Sequence, residues 1–135
     1  MITCSRKQSD YQMGYIKNRI LSFRYALRGV TTLFRETPNI RLQLAAAIAA
    51  VIMGFLLHIS SGEWLAVIIV TGGVFAMEAM NSALEHLSDF TCKQEIHPAI
   101  KKVKDISAAA VLLAAVAALA VGLVIFLPKI ISLFS

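Results

Sequence analysis

Many signatures that assign an enzyme are missing from this chain of 135 residues. There is no GxxxxGK[ST] and no GxGxxG, so any nucleotide must be bound without a P-loop. His86 and His97 lack an i, i+4 partner or other metal spacing, which argues against a zinc site. The chain has only 2 cysteines, Cys4 and Cys92, and both fall in polar segments on the side read below as cytoplasmic, so no disulfide is expected. No secretory signal is visible, because the first apolar run begins near Leu42 with no small-residue cleavage pattern before it. Acids are scarce too, with 8 Asp and Glu against 13 Lys and Arg.

What the chain has in abundance is hydrocarbon. At 58% apolar residues and a mean hydropathy of +0.72 it is too hydrophobic for a soluble core of this size. The expected class is an all-α membrane protein of one domain, residues 1–135. A net charge of +5 would suggest nucleic acid in a soluble protein, but here the bases flank apolar segments and no nucleic-acid partner is expected.

Residues 1–13 are polar and read as a disordered tail. Over 14–35 Ile16, Ile20, Phe23, Leu27, Val30 and Phe34 recur at three- and four-residue steps, while Lys17, Arg24, Arg28 and Arg35 form a second stripe. That pattern predicts an amphipathic surface helix lying in the membrane interface; the plainer alternative is a surface helix of a soluble protein. Pro38 breaks it. Three apolar segments follow, 42–59, 64–84 and 106–127, each long enough at ~1.5 Å per residue for about the ~30 Å of hydrocarbon. A Ser60-Ser61-Gly62 turn makes the first two a hairpin, and 86–105 reads as a polar connector broken at His97-Pro98. All the Lys and Arg residues except Lys129 lie before the first span or in the connector. The positive-inside rule then places the N-terminus and connector in the cytoplasm and the C-terminus outside.

Carboxylates sit where a membrane span should have none. Glu78, Asn81, Glu85 and Asp89 fall at helical spacing on one face of the second span. A charge at membrane depth costs about 2.5–3.5 kcal/mol even on lenient scales, so a face that repeats it reads as a site. The acids form a ramp, with Glu78 in the apolar phase, Glu85 near the cytoplasmic interface and Asp89 beyond it. An apolar-phase carboxylate suits a general base, and one nearer water suits a divalent metal carrying nucleotide phosphates. The plainer readings are interhelical hydrogen bonding for Asn81 and Ser82 and solvated helix-end acids for Glu85 and Asp89. Lys101-Lys102-Val103-Lys104-Asp105 forms a second cluster; Asp105 suits a cap of the third span, and the lysines suit either phosphate or membrane anchoring. Small residues crowd spans one and three, as at Ala45-Ala46-Ala47 and Ala108-Ala109-Ala110, which permits close helix approach. Three thin spans hardly shield the acid face, so a homo-oligomer is expected.

The pattern Glu78-x-x-Asn81-Ser82-Ala-x-Glu85-x-x-x-Asp89, then His97-Pro98 and Lys104-Asp105-x-x-Ala108-Ala109-Ala110-Val111-Leu112, resembles the bacterial integral-membrane diacylglycerol kinase family, which includes the undecaprenol kinases. The resemblance runs from about Arg19 to Phe126. It implies a surface helix plus three transmembrane helices, a homotrimer, and transfer of the γ-phosphate of MgATP to a lipid hydroxyl at the cytoplasmic face of the bacterial inner membrane. By this resemblance Glu78 is the catalytic base, Glu85 a ligand of the Mg²⁺ that accompanies ATP, and Asn81 part of the nucleotide site. Lys104 and Asp105 match the pair near the phosphates and adenosine, and Lys17 or Arg19 the N-terminal basic residue. Glu36 matches the second metal-binding acid, although its spacing to Asn39-Ile40-Arg41 is one residue longer than usual, with Pro38 between. Ser22-Phe23-Arg24-Tyr25-Ala26-Leu27-Arg28-Gly29 and Pro38-Asn39-Ile40-Arg41 look more like the branch with undecaprenol kinases. The competing class is a non-enzymatic membrane module that conducts protons or binds a partner helix. Against it, the acids stop halfway, with only Glu63 near the outer side.

Overall fold

The computed structural model describes residues 15–92 and 97–134, with side chains from residue 17 onward. The tail 1–13 with Cys4, and Lys93 of the connector, lie outside the described residues. Four helices follow in order: α1 (Tyr15–Glu36), α2 (Pro38–Leu56), α3 (Ser61–Cys92) and α4 (Pro98–Ser132). They fall into two compact units, one ending at Glu36 and one beginning at Thr37.

The first unit presents α1, with Ile20, Phe23, Leu27 and Val30 exposed and Arg35 in its last turn. The second holds α2, α3 and α4, each long and apolar enough to cross a membrane. The class is therefore all-helical, with three candidate spans.

Helix boundaries differ from the sequence expectation in instructive ways. Pro38 does not merely end one helix; it opens the next, at a first-turn position where a missing N–H costs nothing. Thus α2 begins at Pro38 rather than at 42 and ends at Leu56 rather than 59. His58 then takes a left-handed φ of 48° to reverse the chain. The turn lies at Leu57–Ser60, one step before the expected Ser-Ser-Gly, because Ser60 and Glu63 form a capping box. The Ser60 N–H donates to Glu63 Oε2 at 2.6 Å, and the Glu63 N–H reaches Ser60 Oγ at 3.4 Å.

Within the expected connector 86–105, residues 86–92 and 98–105 are helical. α3 runs on to Cys92, and α4 starts at Pro98, capped by His97, whose Nδ1 accepts from the Ala99 N–H at 3.3 Å. Polarity marked where hydrocarbon ends, and backbone hydrogen bonding continued beyond it. Asp105 consequently lies inside α4 and caps nothing, correcting that expectation.

α3 and α4 pack as a long antiparallel pair. At one end Lys129 Nζ meets Glu63 Oε2 at 3.4 Å, and at the other Lys104 Nζ meets Asp89 Oδ1 at 2.9 Å. The apolar core, Ile59, Val67, Ile125 and Phe126, lies toward the Glu63 end, with Trp64 packed against it. Trp64 lies over Gly54, where an added Cβ would stand 2.7 Å from the indole, and its ring sits 4.9 Å from that of Phe55. Only glycine lets α2 and α3 meet this closely. Gly54→Val is expected to lower stability by about 1–3 kcal/mol through overpacking. Unfolding in detergent measures this, and an unchanged midpoint would contradict the contact.

Candidate functional site

The opposite end of the bundle is polar where the first is greasy. Glu78, Asn81 and Glu85 follow one another up the inner face of α3 because steps of three and four residues return to the same side of a helix. Burial declines along that face. Glu78 is 1% exposed and Asn81 7%, Glu85 is half-buried, and the side chain of Asp89 is 63% exposed. Within the bundle the four residues thus run from buried to exposed.

Two helices answer this face. From α2, Gln43 Nε2 donates to Glu78 Oε2 at 2.8 Å, and Thr37 Oγ1 lies 3.1 Å from Ser82 Oγ. The antiparallel run of α2 past α3 sets both contacts, since Thr37 at the N-cap of α2 and Gln43 within it meet Ser82 and Glu78 in reverse order. From α4, Ser107 Oγ donates to Asn81 Oδ1 at 2.6 Å and also lies 2.9 Å from the Lys104 carbonyl. Asn81 Nδ2 donates in turn to Glu85 Oε1 at 3.1 Å. Asn81 therefore has its carbonyl locked by α4 and its amide aimed at Glu85. That fixes the amide's orientation and presents the Glu85 carboxylate in one setting.

Glu78 is held at one oxygen only. Its Oε1 and the Oε1 of Gln43 are buried without a hydrogen-bond partner. Buried acceptors are rarely left so, and an orphan in an otherwise satisfied network marks a place for a donor from outside the chain. Gln43 also stands on an open cleft of about 440 Å³ between the three helices, lined otherwise by side chains such as Ala47, Val74, Phe75, Ala118 and Phe126.

Of the residues singled out from sequence, the structure gathers Glu78, Asn81, Glu85 and Lys104, the last through its ion pair with Asp89. Asp105 is exposed and takes no part in this network. Lys17, Arg19 and Glu36 belong to the other unit. Lys17 and Arg19 lie exposed on the first turns of α1, and Glu36 is its exposed last residue. Sequence reasoning missed Gln43, Ser107 and Thr37. The signal for Gln43 was present as a lone amide inside an apolar run, where a polar group asks for a partner. Ser107 stood at the head of an alanine-rich run, with nothing to mark it.

Glu85 offers a carboxylate that is half-buried and meets the Asn81 amide N–H, and no group of three His, Cys, Asp or Glu side chains among the described residues could hold a metal ion. A single such carboxylate suits a hard cation that takes its remaining coordination from phosphate and water, as Mg²⁺ does.

Comparison with known proteins gives a family-model match, prokaryotic diacylglycerol kinase, over residues 24–126. An undecaprenol kinase of Bacillus subtilis (strain 168) is 40% identical over 109 residues, covering 81% of this chain and 88% of that protein. A diacylglycerol kinase of Synechocystis sp. (strain ATCC 27184 / PCC 6803 / Kazusa) is 37% identical over 116 residues, covering 86% of this chain and 66% of that protein. The search of solved structures gives no match.

The α3–α4 junction is open to direct test. Ser107→Ala should cost about 0.6–1.7 kcal/mol, the range for interhelical hydrogen bonds in membranes. Combined with Asn81→Ala the loss should be less than additive in reversible unfolding from micelles, because the two substitutions break one bond. Full additivity would mean that the bond contributes nothing.

Proposed function

The chain belongs to the prokaryotic diacylglycerol kinase family and is a lipid kinase, and we propose that it transfers the γ-phosphate of MgATP to the hydroxyl of a membrane lipid alcohol, diacylglycerol or a polyprenol such as undecaprenol. The observation that carries this reading is Glu78, a carboxylate buried in an apolar helix with one oxygen unpartnered and the other bonded to Gln43, which lines an apolar cleft. The lipid's hydrocarbon chain lies in that cleft, which brings its hydroxyl to Gln43 and, through it, to Glu78. Support for a polyprenol comes from the 22–29 and 38–41 segments and from the undecaprenol kinase relative.

In the reaction the hydroxyl oxygen attacks the γ-phosphorus, the bond to the β-phosphate oxygen breaks, and ADP leaves. The hydroxyl proton passes to Glu78 Oε1, the oxygen left open by Gln43. Glu85 would hold Mg²⁺, which when bound would offset charge on the phosphates, and the family resemblance implies Glu36 as the second metal-binding acid. Asn81 keeps the Glu85 carboxylate in place. Lys104 would balance phosphate charge once a nucleotide draws it from Asp89, and the family resemblance implies nucleotide binding for Asp105 and for Lys17 or Arg19.

The setting is the bacterial inner membrane. The bias of Lys and Arg supports a cytoplasmic N-terminus and 86–105 segment with the C-terminus outside, which puts the polar end of the bundle at the cytoplasmic interface. The exposed apolar residues of α1 and its arginines support an interfacial position for that helix. Exposed faces of α2 and α4, such as Leu42, Phe55, Leu113 and Val124, support a homotrimer embedded in lipid.

Glu78→Gln keeps the shape and one hydrogen bond but cannot take a proton. It should lower turnover about 10²–10⁴-fold with folding and nucleotide binding retained. Near-normal turnover of this variant on both lipids would sink the proposed role. Removing divalent cation with a chelator should stop lipid phosphorylation, and excess Mg²⁺ should restore it; activity that persists in chelator would exclude the metal step.

A further inference from the structure

Glu78 has a single direct partner, and that partner is an uncharged amide. The choice of group has chemical consequences. A lysine or arginine at this place would pair with the carboxylate and weaken it as a proton acceptor. A hydrophobic residue would leave the carboxylate free to rotate, because its terminal torsion is broad. An amide N–H fixes one oxygen and adds no charge. Gln43 is the one amide in the lining of the cleft, which is otherwise apolar apart from Thr71.

The two orphaned oxygens sharpen the point. Gln43 Oε1 and Glu78 Oε1 are both buried acceptors without a partner, so the pair has room for a donor. A lipid hydroxyl supplies one O–H. Of the two oxygens only the carboxylate is basic enough to keep the proton, since an amide carbonyl is not a base near neutral pH. Gln43 thereby decides which carboxylate oxygen is spent on structure and which remains for chemistry.

We propose that Gln43 is a positioning residue for phosphoryl transfer, acting through Glu78: its Nε2–H locks Oε2 and leaves Oε1 facing the acceptor hydroxyl. This rests on Glu78 being the base. Gln43 touches the reaction only through that carboxylate, so removing its donor should slow the chemical step and leave ground-state binding of both substrates in place.

The test is steady-state kinetics of the full chain in mixed micelles with MgATP and a polyprenol. Gln43→Met, close in size but without a donor, should lower kcat by about tenfold or more with the KM of each substrate within about twofold. Gln43→His, which restores an N–H at similar reach, should recover most of the lost turnover. Gln43→Met added to Glu78→Gln should cost nothing further, because the carboxylate it positions is already gone. An unchanged kcat in Gln43→Met, a loss confined to KM, or a Gln43→His variant as damaged as Gln43→Met overturns the proposal. Should Gln43→Met fail to fold, Gln43→His against the shorter Gln43→Asn makes the same comparison, and equal kcat in those two overturns it. Failure here with Glu78→Gln inactive removes only the positioning role, whereas an active Glu78→Gln removes the base itself.

Discussion

The contact between Gln43 and Glu78 is the constraint around which the polar half of the molecule is arranged. A carboxylate in an apolar helix must be given a partner or abandon its charge. Here the partner comes from a different helix, so α2 must run antiparallel to α3 in one register and at close range. That register also brings Thr37 to Ser82 and Gly54 under Trp64. The close approach at Gly54 and the hydrogen bond at Gln43 are two ends of the same alignment.

Division of labour along the bundle follows. The end marked by Glu63 and Lys129 holds the apolar core, the capping box and an ion pair, and it specifies the packing. The end marked by Asp89 and Lys104 holds side chains joined by hydrogen bonds, with vacancies left at Glu78 and Gln43. Polar groups with unfilled hydrogen bonds destabilise a fold, and a well-packed opposite end is what lets the chain tolerate them. Between the two runs the apolar cleft, with Gln43 among its lining residues.

Much of this was legible from residue types and spacing. Hydropathy located three spans, and the steps from Glu78 to Asp89 placed the acids on one face. The resemblance then pointed to a lipid kinase, in agreement with the family match. Less legible was anything that depended on which helices touch. Gln43 could be seen as a lone amide, but only the antiparallel register shows that it meets Glu78. Ser107 is one hydroxyl among alanines, and its role exists only because α4 crosses α3 beside Asn81. Polarity misled at 86–105, because a helix that leaves the hydrocarbon can continue in water. It misled at Asp105 for the same reason: α4 had already begun at Pro98, and no free helix end remained to cap.

The central claim is that this polar end transfers phosphate to a lipid hydroxyl. Purified protein in mixed micelles, given γ-labelled MgATP with diacylglycerol or with undecaprenol, tests it by following the label into the organic-extractable fraction. Label should enter the lipid fraction only when a lipid alcohol is present, in step with ADP release. ATP turnover that leaves both lipids unlabelled, or no turnover with either lipid, would contradict the account.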